Sequence, residues 1–160
     1  MALWTLAEQQ MIRPLDSNNQ NKFEQLQKEV ESNDIEKYLG FDFYQELLRN
    51  TANYATLLNG GTYTCDGYTY RFDGLKYVCA YLLYARYVRS SYIVDTFSGF
   101  MTHTTDNMQR VGAGEIVNQE ARYKEIAGTA WSGCVRYLST LAIDILPETS
   151  NNRRTKIDYL

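Results

Sequence analysis

At 160 residues, with 16 Lys and Arg against 19 Asp and Glu, the chain has room for one modest core and little for a separate cofactor domain. Its net charge of −3 excludes a strong nonspecific grip on nucleic-acid phosphate or anionic lipid. Aromatic residues make up 14 % and are mostly tyrosine, which suits surfaces that are half packed and half wet.

Residues 1–15 read as an apolar arm carrying Leu3, Trp4, Leu6, Met11 and Ile12, stopped by Pro14 and available to dock on a neighbour. The opening MALWTLAEQQ lacks the basic start and long apolar run of a signal peptide. With Asp16 or Ser17 as N-cap, Phe23, Leu26 and Val30 keep the spacing of an amphipathic helix that ends near Asn33. Asp34 then caps a short turn, IEKYLG, with Gly40 as its stop, and a second helix over 41–52 is built on Phe43, Tyr44, Leu47 and Leu48. Residues 16–46 hold eight acids against three lysines, which predicts a negative, solvated face.

After Leu57 and Leu58, Asn59-Gly60-Gly61 breaks the helix and launches a hairpin over 62–72. Its core, TYTCDGYTY, is nearly mirror-symmetric about Asp66-Gly67. A two-residue type I′ turn there sets Cys65 opposite Tyr68, Thr64 opposite Thr69 and Tyr63 opposite Tyr70. One face is then aromatic and the other threonine. A two-stranded ribbon is marginal alone, so its aromatic face must rest on the chain's own helices or on another chain. Asp73-Gly74 closes the hairpin and residues 75–93 form the central helix, whose apolar positions wrap far enough round that most of it must be covered. Tyr77, Tyr81, Tyr84 and Tyr87 line one side of it, to pack on the hairpin or on a second subunit.

Residues 94–114 show no sustained periodicity and contain three glycines, yet carry Phe97, Phe100, Met101, Met108 and Val111. A loop of this length in a small domain is usually either functional or disordered, and its aromatic and methionine content argues against simple disorder. A final long helix spans 115 to about 145, with Gly128 and Gly133 allowing another helix to approach closely, and Pro147 begins a polar tail, 147–160, with Arg153, Arg154, Tyr159 and Leu160. The expectation is a mainly α fold: a small helical bundle, 16–146, with one β-hairpin, a long inter-helix loop and extended termini at 1–15 and 147–160.

Little in the chain suggests chemistry. The single histidine, His103, lies in the long loop between threonines with no evident nucleophile to serve. The cysteines Cys65, Cys79 and Cys134 lie far apart in apolar settings without ligand spacing, which reads as buried thiols in a reducing compartment. No phosphate-binding loop occurs, and Gly112-Ala113-Gly114 lacks the preceding strand of a dinucleotide site. Arg86 and Arg89 on the central helix are expected to pair with the acidic first half. No catalytic, cofactor-binding or metal residue is assigned, and the chain reads as a non-enzyme. Candidate contacts to subunits or partners are Trp4, Tyr63, Tyr68, Tyr70, Phe97, Phe100, Met101, Met108, Arg153, Arg154 and Tyr159.

Three stretches, YLGFDFYQELL (38–48), LLNGGTYTCDGYTYRFDGLKYVCAYLLYARYV (57–88) and EIVNQEARYKEIAGTAWSGCVRYL (115–138), resemble the head-to-tail connector, or neck adaptor, proteins of tailed bacteriophages, as in the ring proteins of crAss-like phages. The likeness lies in layout: a glycine-led hairpin with an Asp-Gly turn, a Tyr-Ala-Arg-Tyr helix, a loop and a final helix. It implies a structural virion protein, made in the host cytoplasm, that assembles as a homo-oligomeric ring, typically twelvefold, below the portal protein. Such a ring contacts other neck or tail proteins and passes genomic DNA without specific binding. No membrane association is implied, and the most apolar run, 77–84, is too short to span a bilayer. The arm at 1–15 is a departure about which the resemblance says little. Two other readings stand beside it: a binding or regulatory module using the tyrosine-rich surface, and a small hydrolase built around His103.

Overall fold

The computed structural model describes residues 2–15, 20–96, 99–102, 113–141 and 143, with 91–96, 99–102 and 113 described by their backbone alone. The fold is mainly helical. Thr5 caps α1 (Leu6–Ile12) through a reciprocal capping box: its side chain accepts from the Glu8 N–H while the Glu8 carboxylate accepts from the Thr5 N–H. The arm is therefore a folded element. Leu3, Trp4 and Leu15 lie in the core, so the expectation that the arm docks on a neighbour is replaced by docking on its own chain.

α2 (Gln20–Val30) does not end at Asn33. It runs through a π-helical turn, Glu31–Ile35, directly into α3 (Glu36–Leu39). The reason lies in the spacing of its buried residues. Val30 and Ile35 are five apart, and the wider π turn returns Ile35 to the face that Phe23, Leu26 and Val30 already bury. Gly40, at φ 77°, makes the stop, and α4 (Phe41–Arg49) buries Tyr44 and Leu47. A turn leads to α5 (Ala55–Asn59), which buries Leu57 and Leu58.

β1 (Gly61–Cys65) and β2 (Tyr68–Phe72) pair antiparallel in the predicted register, Tyr63 with Tyr70 and Cys65 with Tyr68. Asp66 and Gly67 take the positive φ values, 51° and 80°, that this turn demands. α6 (Leu75–Tyr92) follows. Two further strands, β3 (Ile93–Thr96) and β4 (Gly99–Thr102), pair antiparallel and occupy the first part of the segment read as loop from 94. α7 (Ala113–Thr140) packs along α6 and stops before the expected 145.

One core joins these elements. Leu75, Val78, Cys79 and Leu83 of α6 meet Ala127, Ala130, Cys134 and Leu138 of α7, with Val30, Ile35, Leu39 and Leu47 closing the cluster. Gly133 faces Phe72 of the hairpin, where an added Cβ would lie 3.1 Å from the Phe72 Cβ, so a strand residue takes the approach expected of another helix. Burial pushes the Cys134 thiol up to about 12 and the Cys79 thiol well above its ordinary value, while Cys65 is only partly buried. The expectation of three buried thiols holds for two of them. In a thiol-reagent titration Cys65 alone should react in the native protein, with Cys79 and Cys134 following only in denaturant.

Candidate functional site

The hairpin is held at its root and open at its tip. Phe72 is 4 % exposed and stacks on Tyr137 of α7 at 4.7 Å between ring centroids. Tyr63 touches Phe72, Tyr70 and Tyr137 at 5.8, 5.5 and 5.8 Å, forming a four-ring cluster. From Phe72 exposure climbs along this face of β2, to 40 % at Tyr70 and 70 % at Tyr68. The aromatic face thus starts in the core and ends in solvent. The root is locked by two glycines: Gly60 and Gly74, at φ 79° and 85°, cross so closely that a Cβ on Gly74 would lie 2.2 Å from the Gly60 nitrogen.

The tyrosines of α6 find ring partners on α6 itself and on α7. Tyr81 and Tyr84 meet Tyr123 of α7 at 6.2 and 4.8 Å, and Tyr84 also touches Tyr87. Arg13 sits between Tyr84 and Tyr123, 4.5 and 5.1 Å from their centroids, and its Nη2 donates to the Tyr123 hydroxyl at 2.8 Å. The arm is thereby tied to the helix pair by a cation between two rings.

Trp4, expected as a partner contact, is 1 % exposed. It lies edge-on to Phe23 at 6.2 Å and its Nε1 donates to Gln9 Oε1 at 3.1 Å. It is a core residue and is withdrawn as a contact. Tyr63 belongs mainly to the hairpin root, leaving Tyr68 and Tyr70 as the open positions. Phe100 and Met101 lie on β4, paired with Asp95 and Val94. Phe97, His103, Met108, Arg153, Arg154 and Tyr159 lie outside the described residues.

The polar anchors of the arm had no signature in the sequence except the Thr5-x-x-Glu8 spacing. Gln9, fully buried, donates to the carbonyls of Arg13 and Ala80, and Gln27 donates to the Trp4 carbonyl. Glu31 accepts from the Leu3 N–H at 2.9 Å and the Tyr44 hydroxyl at 3.3 Å. Burial raises its pKa from the ordinary 4.5, and these donors only partly offset that. Glu31 therefore holds its proton more tightly folded than unfolded, and its contribution to stability declines as pH rises from 4.5 through the folded value. Glu8 runs the other way. Burial would raise it, but Lys76 at 2.6 Å and the Thr5 donors outweigh burial, so its contribution is present above 4.5 and lost as pH falls through the lowered value. Glu31→Gln, which keeps the shape and a hydrogen-bonding head, should match the wild type in urea at about pH 4 and exceed it at about pH 7.

As expected, Arg86 pairs with the acidic first half, with Asp34 at 2.6 Å and Glu29 at 3.7 Å; Arg89 instead reaches Glu120 of α7 at 3.5 Å. Among the described residues no three His, Cys, Asp or Glu side chains converge as a metal set, and no helix is long and apolar enough to cross a membrane.

The model of a protein family of unknown function, DUF6712, matches residues 35–158. The chain belongs to this family. The DUF6712 match takes in the hairpin, α6 and α7, and begins within the π-helical turn, after the arm and α2. No curated protein and no solved structure shows significant similarity to the chain.

Proposed function

We propose that this DUF6712 chain is a non-enzymatic virion subunit that assembles with copies of itself into a ring-shaped head-to-tail connector below a phage portal, extending the DNA channel and giving the tail a docking surface. The observation that carries this reading is the hairpin: a ribbon anchored by Phe72 in the core that lifts Tyr70 and Tyr68 progressively out of it. A ring needs heterologous contacts, in which a protrusion on one subunit fits a different surface on the next. Exposed tyrosines on a firmly rooted ribbon are suited to that, since they supply contact area at small entropic cost. The layout resemblance of 38–48, 57–88 and 115–138 to connector proteins supports the same reading. So does the net charge of −3, because a conduit that DNA must leave should neutralise few phosphates.

Electron microscopy of the purified chain mixed with the portal protein of its own genome tests this. Rings seated on one end of the portal are expected. Bare portals beside dispersed single chains would overturn it.

A further inference from the structure

A cleft of about 460 Å³ opens where α2, α6 and α7 meet. Leu26 and Leu82, both nearly buried, form its floor, and its rim is charged. On one side Arg86 holds Asp34 at 2.6 Å but Glu29 only at 3.7 Å, and the Glu29 side chain is 40 % exposed, so its carboxylate keeps room for another donor. On the other side Lys124 and Arg89 share one oxygen of Glu120, two cations against one acid. An apolar floor under a polar rim suits an amphipathic ring, above all tyrosine, which buries its body and offers its hydroxyl to an acceptor.

The hairpin tip has that composition. Tyr68 and Tyr70 share one face of β2, and the turn beside them carries the exposed Asp66, whose carboxylate accepts from the Cys65 thiol at 3.7 Å. An acid arriving with the rings would balance the charges at Lys124 and Arg89. Tip and cleft cannot meet within one chain. Phe72 roots the hairpin at Tyr137, roughly 20 to 25 Å along α7 from Lys124 and Glu120 at the cleft, while the strand from Phe72 to Tyr68 reaches roughly 14 Å. A protrusion and a groove set toward opposite ends of one helix are what a head-to-tail contact between copies requires. From this placement we infer that the α2–α6–α7 cleft of one copy is the receptor for the hairpin tip of the next, with Tyr68 seated over Leu26 and Leu82 and Asp66 beside Lys124 and Arg89. The inference rests on the reading above, in which copies join through the tip, and names the surface that each tip meets.

Two variants and their mixture test it, by light scattering after size-exclusion chromatography at concentrations where the wild type is multimeric. Gln25→Trp fills the cleft from an exposed position of α2, and Tyr68→Ser/Tyr70→Ser removes the tip rings. Each alone is expected to show a single-chain mass. Mixed in equal amounts they should form a two-chain species, because the first keeps its tip and the second its cleft. If Gln25→Trp melts well below the wild type, Ser90→Leu fills the cleft from α6 and carries the comparison. A cleft variant that assembles as the wild type does while the tip variant does not, as tip-to-tip contact would give, or a mixture that stays single-chain, would overturn the inference and leave the connector reading standing. A wild type that is itself a single chain at every concentration would overturn both.

Discussion

Trp4→Ala is expected to destabilise the fold by about 3 to 5 kcal/mol, the usual cost of emptying a buried tryptophan site. The ring is almost fully enclosed and packs edge-on against Phe23, so its loss leaves a cavity between the arm and α2. The polar consequence adds to the apolar one. Gln9 is fully buried, and its Oε1 accepts from the indole N–H, so alanine removes that partner of a group that water cannot reach. Trp4→Phe separates the two terms: most of the packing is kept, and a loss of about 1 to 2 kcal/mol is expected from the hydrogen bond. Urea denaturation of both variants checks this. An alanine variant within about 1 kcal/mol of the wild type would mean that the arm is not part of the core.

Gly74→Ala should cost on the order of 3 kcal/mol or more, through strain and collision together. The residue has φ 85°, a region alanine avoids, and the new Cβ would lie 2.2 Å from the Gly60 nitrogen and 2.6 Å from the Asn59 carbonyl carbon. Both neighbours are backbone, so neither can swing aside as a side chain would. Two other glycines calibrate the effect. Gly67, at φ 80° in the turn, has nothing within 4 Å, so Gly67→Ala should show the conformational term alone, about 1 to 2 kcal/mol. Gly128 is helical with equally open space, and Gly128→Ala should stabilise by up to about 1 kcal/mol. Thermal melts of the three variants should rank in that order; equal effects at Gly74 and Gly67 would show that the crossing at the hairpin root is slack.

The hairpin was legible because its determinants are local. Asp66-Gly67 specify the turn, and a two-residue turn then fixes every cross-strand partner. The helices were legible in kind, from the spacing of Phe23, Leu26 and Val30 and of the α6 and α7 core residues, but their joins were not. Asp34 looked like a cap, whereas the step of five from Val30 to Ile35 is bridged by a π turn that no simple helical period anticipates. Trp4 was misplaced for a different reason: apolar residues in a short arm look alike whether they bury in their own chain or in another. The Thr5-x-x-Glu8 capping box is the local signal that separates the two cases, since it marks a helix start and hence an ordered arm. The β3–β4 pair escaped because its strands are four residues each, with aspartate, threonine and glycine diluting any alternation. Of the open site, Tyr68 and Tyr70 were identified correctly as aromatic positions on one strand. Their graded rise from the core could not be read from sequence, since it depends on Phe72 meeting Tyr137, a residue remote in the chain.

On the proposed reading, the exposed hairpin tip serves contact between copies of the chain. Light scattering after size-exclusion chromatography, run over a range of concentrations on the wild type and on Tyr68→Ser/Tyr70→Ser, tests it most directly. A multimeric mass is expected for the wild type, and for the variant a single-chain mass with the fold retained, since Tyr68 is 70 % exposed and loss of the Tyr70 stack on Tyr63 should cost only about 1 kcal/mol. A wild type that remains a single chain throughout, or a variant that assembles as the wild type does, would contradict it.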